Sequence, residues 1–164
     1  MNLLVKNNYL FLENKTLRCA LGRNGITNNK REGDLSTPVG TFSINKIYYR
    51  ADKLGEKKFK LPSFKIRKSD GWCDDPKSNL YNQHIKFPFN ESAEHLYRDD
   101  CIYDIVCVLN YNTSPVMPGL GSAIFLHVAK SNFEGTEGCI AVEKFALLEI
   151  ATCLTNESRI VIEI

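Results

Sequence analysis

The sequence predicts a mainly β fold, a sandwich or barrel-like pair of sheets with one or two helices, the clearest of them near the C-terminus. Three observations predict it. Short β-prone runs recur along the chain, separated by turns rich in Asn, Gly and Pro. Two longer apolar runs, Cys101 to Asn110 and Ala123 to Ala129, have strand length, and the second reads as a strand buried on both faces. Only Glu143 to Thr155 has helical spacing, with Leu147, Ile150, Ala151 and Leu154 on one face.

The elements follow in order. Leu3 to Val5, Tyr9 to Leu12 and Thr16 to Leu21 read as an antiparallel meander, with Asn7-Asn8 and Asn14-Lys15 as its hairpin connections. Gly22 to Gly40 is a loop by turn chemistry, with four glycines and a proline. Nineteen residues is long for a connection and fits either a functional loop or a solvated one. Thr41 to Arg50 reads as a strand, residues 51 to 60 as an exposed charged stretch, and Leu61 to Arg67 as another strand. Ser69 to Phe89 reads as an irregular crossover packed by Trp72 and Tyr81, or as a lid or wall. Cys101 to Asn110 is a strand and Tyr111 to Gly121 a turn region. The runs Ala123 to Ala129 and Ile140 to Val142 pair as a hairpin or reach adjacent strands. Ser158 to Ile164 closes the chain as a strand. No repeat or linker divides the sequence, so one domain spans 1–164.

Composition narrows the function. A hydrophobic fraction of 43% with 24% charged residues is ordinary for a soluble globular protein. A net charge of +2 and the lack of a basic block argue against nucleic acid as a partner. No apolar run approaches the roughly 20 residues of a membrane span. The N-terminal stretch lacks the pattern of a signal peptide, which leaves a cytoplasmic location open. The six cysteines include no CxxC pair, so a structural zinc site is not expected. His84 and His95, with Cys73 or Cys101, match no metal-ligand spacing, and no cofactor is expected. Cys19, Cys107 and Cys153 lie in apolar segments and read as small buried hydrophobes. Cys139 differs, because it follows a glycine and closes a polar loop.

Cys139 and His127 could face each other where the two apolar runs end. A thiol beside an imidazole is the minimum equipment for nucleophilic acyl transfer, since the imidazole takes the proton that an ordinary thiol keeps at neutral pH. Gly138 would let a substrate backbone approach. The N–H groups around Gly138 and Cys139 would face an oxyanion. By spacing alone, a lone His in an apolar strand is more often a satisfied core residue and a lone Cys more often inert.

The neighbouring residues add to this. His127 is followed by a loop and then by Thr136-Glu137-Gly138-Cys139. Thr37, Pro38, Gly40 and Phe42 close the long loop as Thr-Pro-x-Gly-x-Phe. Leu21 to Ile26, Lys30 to Asp34, Trp72 to Asp75, Gly121 to Ala129 and Gly135 to Val142 complete a pattern covering nearly the whole chain. The sequence resembles the L,D-transpeptidase (YkuD-like) family, and within it a compact branch.

The resemblance implies a YkuD-like β-sandwich catalytic domain acting on peptidoglycan stem peptides. It implies Cys139 as nucleophile, His127 as general base and later acid, and N–H groups at Gly138 and Cys139 as oxyanion donors. The implied product is a 3→3 crosslink made through a thioester. The same residues with water as acceptor would give a carboxypeptidase, endopeptidase or amidase, and an idle site would leave a cell-wall-binding domain. No metal is implied, the site is the cell envelope, and a monomer is expected. Three departures bear on recognition. Eleven residues separate His127 from Cys139, where many members have a longer loop. Glu137 stands where many have His, and Ala141 where many have Arg. Thr136, Glu137, Arg23 and Lys30 are the candidate substrate-binding residues, with Arg31 and Lys130 as further cations. Glu137 would either orient His127 as the third group of a triad or stand as a charge at the rim.

Overall fold

The computed structural model describes residues 1–164. It opens with the predicted meander. Strands β1 (Asn2–Lys6), β2 (Tyr9–Leu12) and β3 (Lys15–Ala20) pair antiparallel in sequence order. Asn7 and Asn8, with φ of 52° and 63°, make the first turn. Two left-handed residues in succession match the twist of a hairpin, and Asn tolerates that region. The second turn is Glu13-Asn14, one residue earlier than predicted, because Leu12 and Lys15 form the closing pair.

The long loop holds only a two-residue parallel pair, β4 (Ile26–Thr27) and β5 (Thr37–Pro38). Then come β6 (Gly40–Tyr49), a single-turn helix α1 (Ala51–Leu54) and β7 (Ser63–Lys65). The segment Ser69 to Phe89, read as irregular, contains two strands instead. They are β8 (Asp70–Cys73) and β9 (His84–Lys86), which with β10 (Ala93–His95) form a three-stranded sheet in the order β10-β8-β9. Their brevity and polar composition hide any alternation. Gly71 belongs to this sheet because the Phe87 ring lies 2.5 Å from where a Cβ would stand. The chain ends with β11 (Ile105–Leu109), β12 (Phe125–Val128), β13 (Ile140–Val142), α2 (Lys144–Cys153) and β14 (Arg159–Ile162).

Two strands change partners along their length and join the halves of the main sheet. The first part of β6 pairs with β14 and the rest with β11. Likewise β3 pairs first with β2 and then, at Cys19 and Ala20, with β13. The main core lies inside, with Leu3, Leu10, Ile44, Ile105 and Leu126 in one cluster. Helix α2 packs onto it through the predicted face, Leu147, Ile150, Ala151 and Leu154, all buried. The Glu143 carboxylate caps the helix by accepting from the Ala146 N–H at 3.0 Å. Cys153 is not part of the core: it is exposed at the end of that helix, one step off the apolar face.

Strands β11 and β12 are buried at every position. Their inner face meets the main core. On the outer face Val106, Val108 and Phe125 pack with Trp72, Leu96 and Tyr103. Cover on both faces explains the continuous apolar runs.

Leu147→Ala is expected to destabilise the fold by about 2–5 kcal/mol, through lost burial and the cavity left behind. Phe145→Ala removes a side chain that is 74% exposed and is expected to stay within about 0.5 kcal/mol of wild type. Urea unfolding of both variants checks the pair.

Candidate active site

The two apolar runs of the central stretch are neighbours but not a hairpin. β12 and β13 pair parallel, with Leu126 opposite Ile140 and His127 opposite Ala141. Side chains alternate along a strand, so His127 and Ala141 share the outer face. Cys139, two residues before Ala141, faces the same way. Two residues along and one strand across put the His127 and Cys139 Cα atoms roughly 8 Å apart, close enough for the side chains to meet.

The turn before Cys139 is pinned from two sides. Within it, Thr136 Oγ1 donates to the Cys139 carbonyl at 2.7 Å and accepts the Gly138 N–H at 3.1 Å. From outside, the long loop clasps it. Arg23 N–H donates to the Thr136 carbonyl at 2.9 Å, and Thr136 N–H to the Leu21 carbonyl at 2.8 Å. Gly22 N–H donates to Thr37 Oγ1 at 2.9 Å. Gly138 serves this docking. Its φ is +141°, and a Cβ there would come within 2.9 Å of the Ser36 carbonyl. Its N–H is spent on Thr136, whereas the Cys139 N–H makes no hydrogen bond and is the donor available to an oxyanion.

The loop carries its own brace. Lys30, 7% exposed, bonds Asp34 Oδ1 at 2.6 Å and the Arg31 carbonyl at 2.7 Å. Partial burial pushes the Asp34 carboxyl up, but Lys30 and the N–H groups of Arg31 and Ser36 outweigh it and hold the carboxyl below its ordinary range.

The Cys139 thiol rests protonated. Burial pushes the Cys139 thiol well above its ordinary range, and the Glu94 carboxylate adds to the shift. Its S–H donates to the Ala123 carbonyl at 3.0 Å, and Phe125 N–H donates to the sulfur at 3.4 Å. Ala123 is held in turn by its N–H donating to Asn82 Oδ1 at 3.0 Å. His127 Nδ1 lies 2.9 Å from the Val128 carbonyl. A carbonyl only accepts, so Nδ1 carries the proton and the Nε2 lone pair is left free to act as a base. Burial drives the His127 pKa down to about 4, so the ring is neutral at pH 7. The thiol and imidazole are not hydrogen-bonded at rest.

Both groups open into a cavity of about 300 Å³. Arg23, Arg98 and Lys130 line it, as do Glu94, Glu137 and Asp74. The family model of the L,D-transpeptidase catalytic domain matches residues 3–162.

The chain belongs to the L,D-transpeptidase family. Comparison with curated proteins finds no match. The family's reaction is on peptidoglycan, and no helix of this L,D-transpeptidase domain is long and apolar enough to cross a membrane.

The structure brings most of the predicted site residues together. Cys139, His127, Thr136, Glu137 and Arg23 all line the cavity. Lys30 does not: it lies behind Gly138, buried in its pair with Asp34. Thr136 reaches the cavity, but its hydroxyl is committed to the turn. Glu137 is exposed and does not orient His127, since the Val128 carbonyl does. His84 and His95 are apart from the cavity. The first bonds Asp70 at 3.1 Å, and the second stacks on Phe87. Sequence reasoning missed Glu94, Tyr103, Arg98 and Ser122. Asp74 lay in a quoted motif without a role. Arg98, paired with Asp100 at 2.7 Å, is a cation the residue pattern did not signal.

Two outcomes are expected. Iodoacetamide at pH 7.5 should label the exposed Cys101 and Cys153 before Cys139, whose thiol is buried and protonated; peptide mass mapping over time reads the order. The neutral, buried His127 also makes stability depend on pH. Its unfolded pKa is about 6.5, so between there and about 4 the unfolded chain binds more protons. Stability from this group is complete above the upper value and is lost as pH falls. Relative to His127→Gln, wild type should lose about 3 kcal/mol between pH 7 and pH 4, read from urea unfolding at each pH.

Proposed function

We propose that the chain is a cysteine acyltransferase that forms 3→3 crosslinks between peptidoglycan stem peptides. The observation that carries this is the shared outer face of β12 and β13. It sets the free Nε2 of His127, the Cys139 thiol and the unengaged Cys139 N–H around one cavity.

The donor is a stem peptide ending in D-alanine. His127 takes the thiol proton, and the sulfur attacks the carbonyl of the L-centre of the diaminopimelate residue. The tetrahedral oxygen is held by the Cys139 N–H. His127 returns the proton to the departing amine, D-alanine leaves and a thioester remains. The amine of a second stem then attacks the thioester and frees the thiol. Arg23 and Arg98 supply the positive charge for substrate carboxylates that Ala141 cannot. The substrate puts the reaction in the cell envelope.

A hydrolase with the same thiol and imidazole is the second reading. The short interval between His127 and Cys139 favours it, because it leaves Glu137 exposed at an open rim where water enters.

Incubation with purified disaccharide tetrapeptides separates the readings. Wild type is expected to release D-alanine and yield 3→3 dimers, resolved by liquid chromatography and mass spectrometry. Shortened monomers alone would favour water as acceptor. Cys139→Ala should abolish both products, and His127→Ala should slow them by about 10²–10⁴-fold. A carbapenem should add its mass to wild type and not to Cys139→Ala. A folded wild type that yields no product and no adduct would overturn both readings.

A further inference from the structure

One wall of the cavity is acidic, and the mechanism above leaves it unused. β8 and β10 build it. Glu94 pairs with Trp72 across the two strands, so their side chains share a face, and Asp74 continues that face. Both carboxylates line the cavity with Cys139, and Glu137 stands at its rim. Glu94 is held in place. The Tyr103 hydroxyl donates to its Oε2 at 2.8 Å, and the Tyr103 ring stands edge-on to the His127 imidazole at 5.4 Å. Of the cavity's cations, Arg98 is shared with Asp100 and Lys130 with Glu134, and neither pairs with Asp74 or Glu94.

A second observation lies beside the same space. Asp74 Oδ1 is buried and has no hydrogen-bond donor, and Ser122, only 8% exposed, lines the cavity with its hydroxyl beside that of Tyr81. Buried acceptors without donors are destabilising, as are carboxylates crowded together. A primary ammonium answers both, with three N–H donors and one positive charge.

We infer that the wall formed by Asp74 and Glu94 is the subsite for a primary ammonium, that of the second stem peptide acting as acyl acceptor. This rests on the function proposed above. An ammonium has no lone pair and cannot attack a thioester. Glu94 takes one of its protons, leaving a neutral amine beside the thioester carbonyl. The amine nitrogen forms the C–N bond and the C–S bond breaks. A second proton passes from nitrogen through His127 to the departing Cys139 sulfur, and Glu94 releases its proton to solvent. Burial, reinforced by Asp74 and Glu137 and opposed by Tyr103 and Arg98, pushes the Glu94 carboxyl up to about 7, a value suited to taking and releasing a proton near neutrality. Water carries no charge and has no need of this wall.

The test measures how the thioester divides between two acceptors. The donor is a tetrapeptide stem with its side-chain amine acetylated, and the acceptor is a tripeptide stem with that amine free. Each sample gives a ratio of crosslinked to hydrolysed product, independent of the folded fraction and of the rate of acylation. Glu94→Gln is expected to lower the ratio at least tenfold, and Glu94→Asp to restore part of it. A ratio within twofold of wild type would overturn the inference. A binding measurement stands apart from turnover. On Cys139→Ser protein, calorimetry should show the free-amine acceptor binding at least tenfold tighter than its acetylated form, with that preference absent after Glu94→Gln. Equal affinities for the two forms would sink the subsite. A preference for the free amine on donor stems alone would reassign it to the donor and overturn the acceptor role. If wild type forms no thioester, the proposed reaction fails while the binding arm still decides the subsite.

Discussion

The parallel pairing of β12 with β13 is the constraint on which the site depends. It puts His127 opposite Ala141 and brings Cys139 onto the same face. A slip of one residue would turn one of the two side chains into the main core and separate them. Parallel neighbours need a crossover, and here it is an eleven-residue loop that holds no helix. That loop is held from outside, by the clasp between residues 21–23 and Thr136 and by Ser36 against Gly138. The long loop is therefore part of the site's framework. The buried Lys30 and the half-buried Asp34 brace it at the point of contact.

Electrostatics set the resting state. Burial drives the thiol and the imidazole toward their neutral forms. The thiol is parked on the Ala123 carbonyl, and the imidazole is oriented by the Val128 carbonyl. The cavity is divided in the same sense. Arg23 and Arg98 offer positive charge, and Asp74 and Glu94 negative charge. A stem peptide that carries carboxylates and an amine suits such a division.

Much of this was legible in the residues. Asn-rich turns marked the meander, because two left-handed residues in a row favour Asn. The i, i+3, i+4, i+7 pattern marked α2. Continuous apolar runs marked β11 and β12, since cover on both faces leaves no polar side. The Thr-x-Gly-Cys turn and the distant histidine marked a thiol and an imidazole that line one cavity. Other features were not legible. β8 and β9 are three or four residues long and polar, and their order comes from pairing with each other and from Trp72 packing on Phe125. Cys153 sits in an apolar stretch, but one helical step carries it to solvent.

By itself the sequence determined a mainly β chain, one C-terminal helix, the family, and the pairing of Cys139 with His127 as the residues of interest. These are written in local periodicity, turn chemistry and short motifs. Only the tertiary structure decided that Gly138 makes room for Ser36, that Lys30 is a buried brace, and that Val128 rather than Glu137 orients the imidazole. It also decided that Glu94, Asp74 and Arg98 share the cavity with the thiol. The physical reason is that Gly138 meets Ser36, and Glu94, Asp74 and Arg98 reach the cavity, across tens of positions in the chain. Even for the local Lys30–Asp34 and His127–Val128 contacts, a side chain's burial and charge environment exist only once the sheets have closed around it.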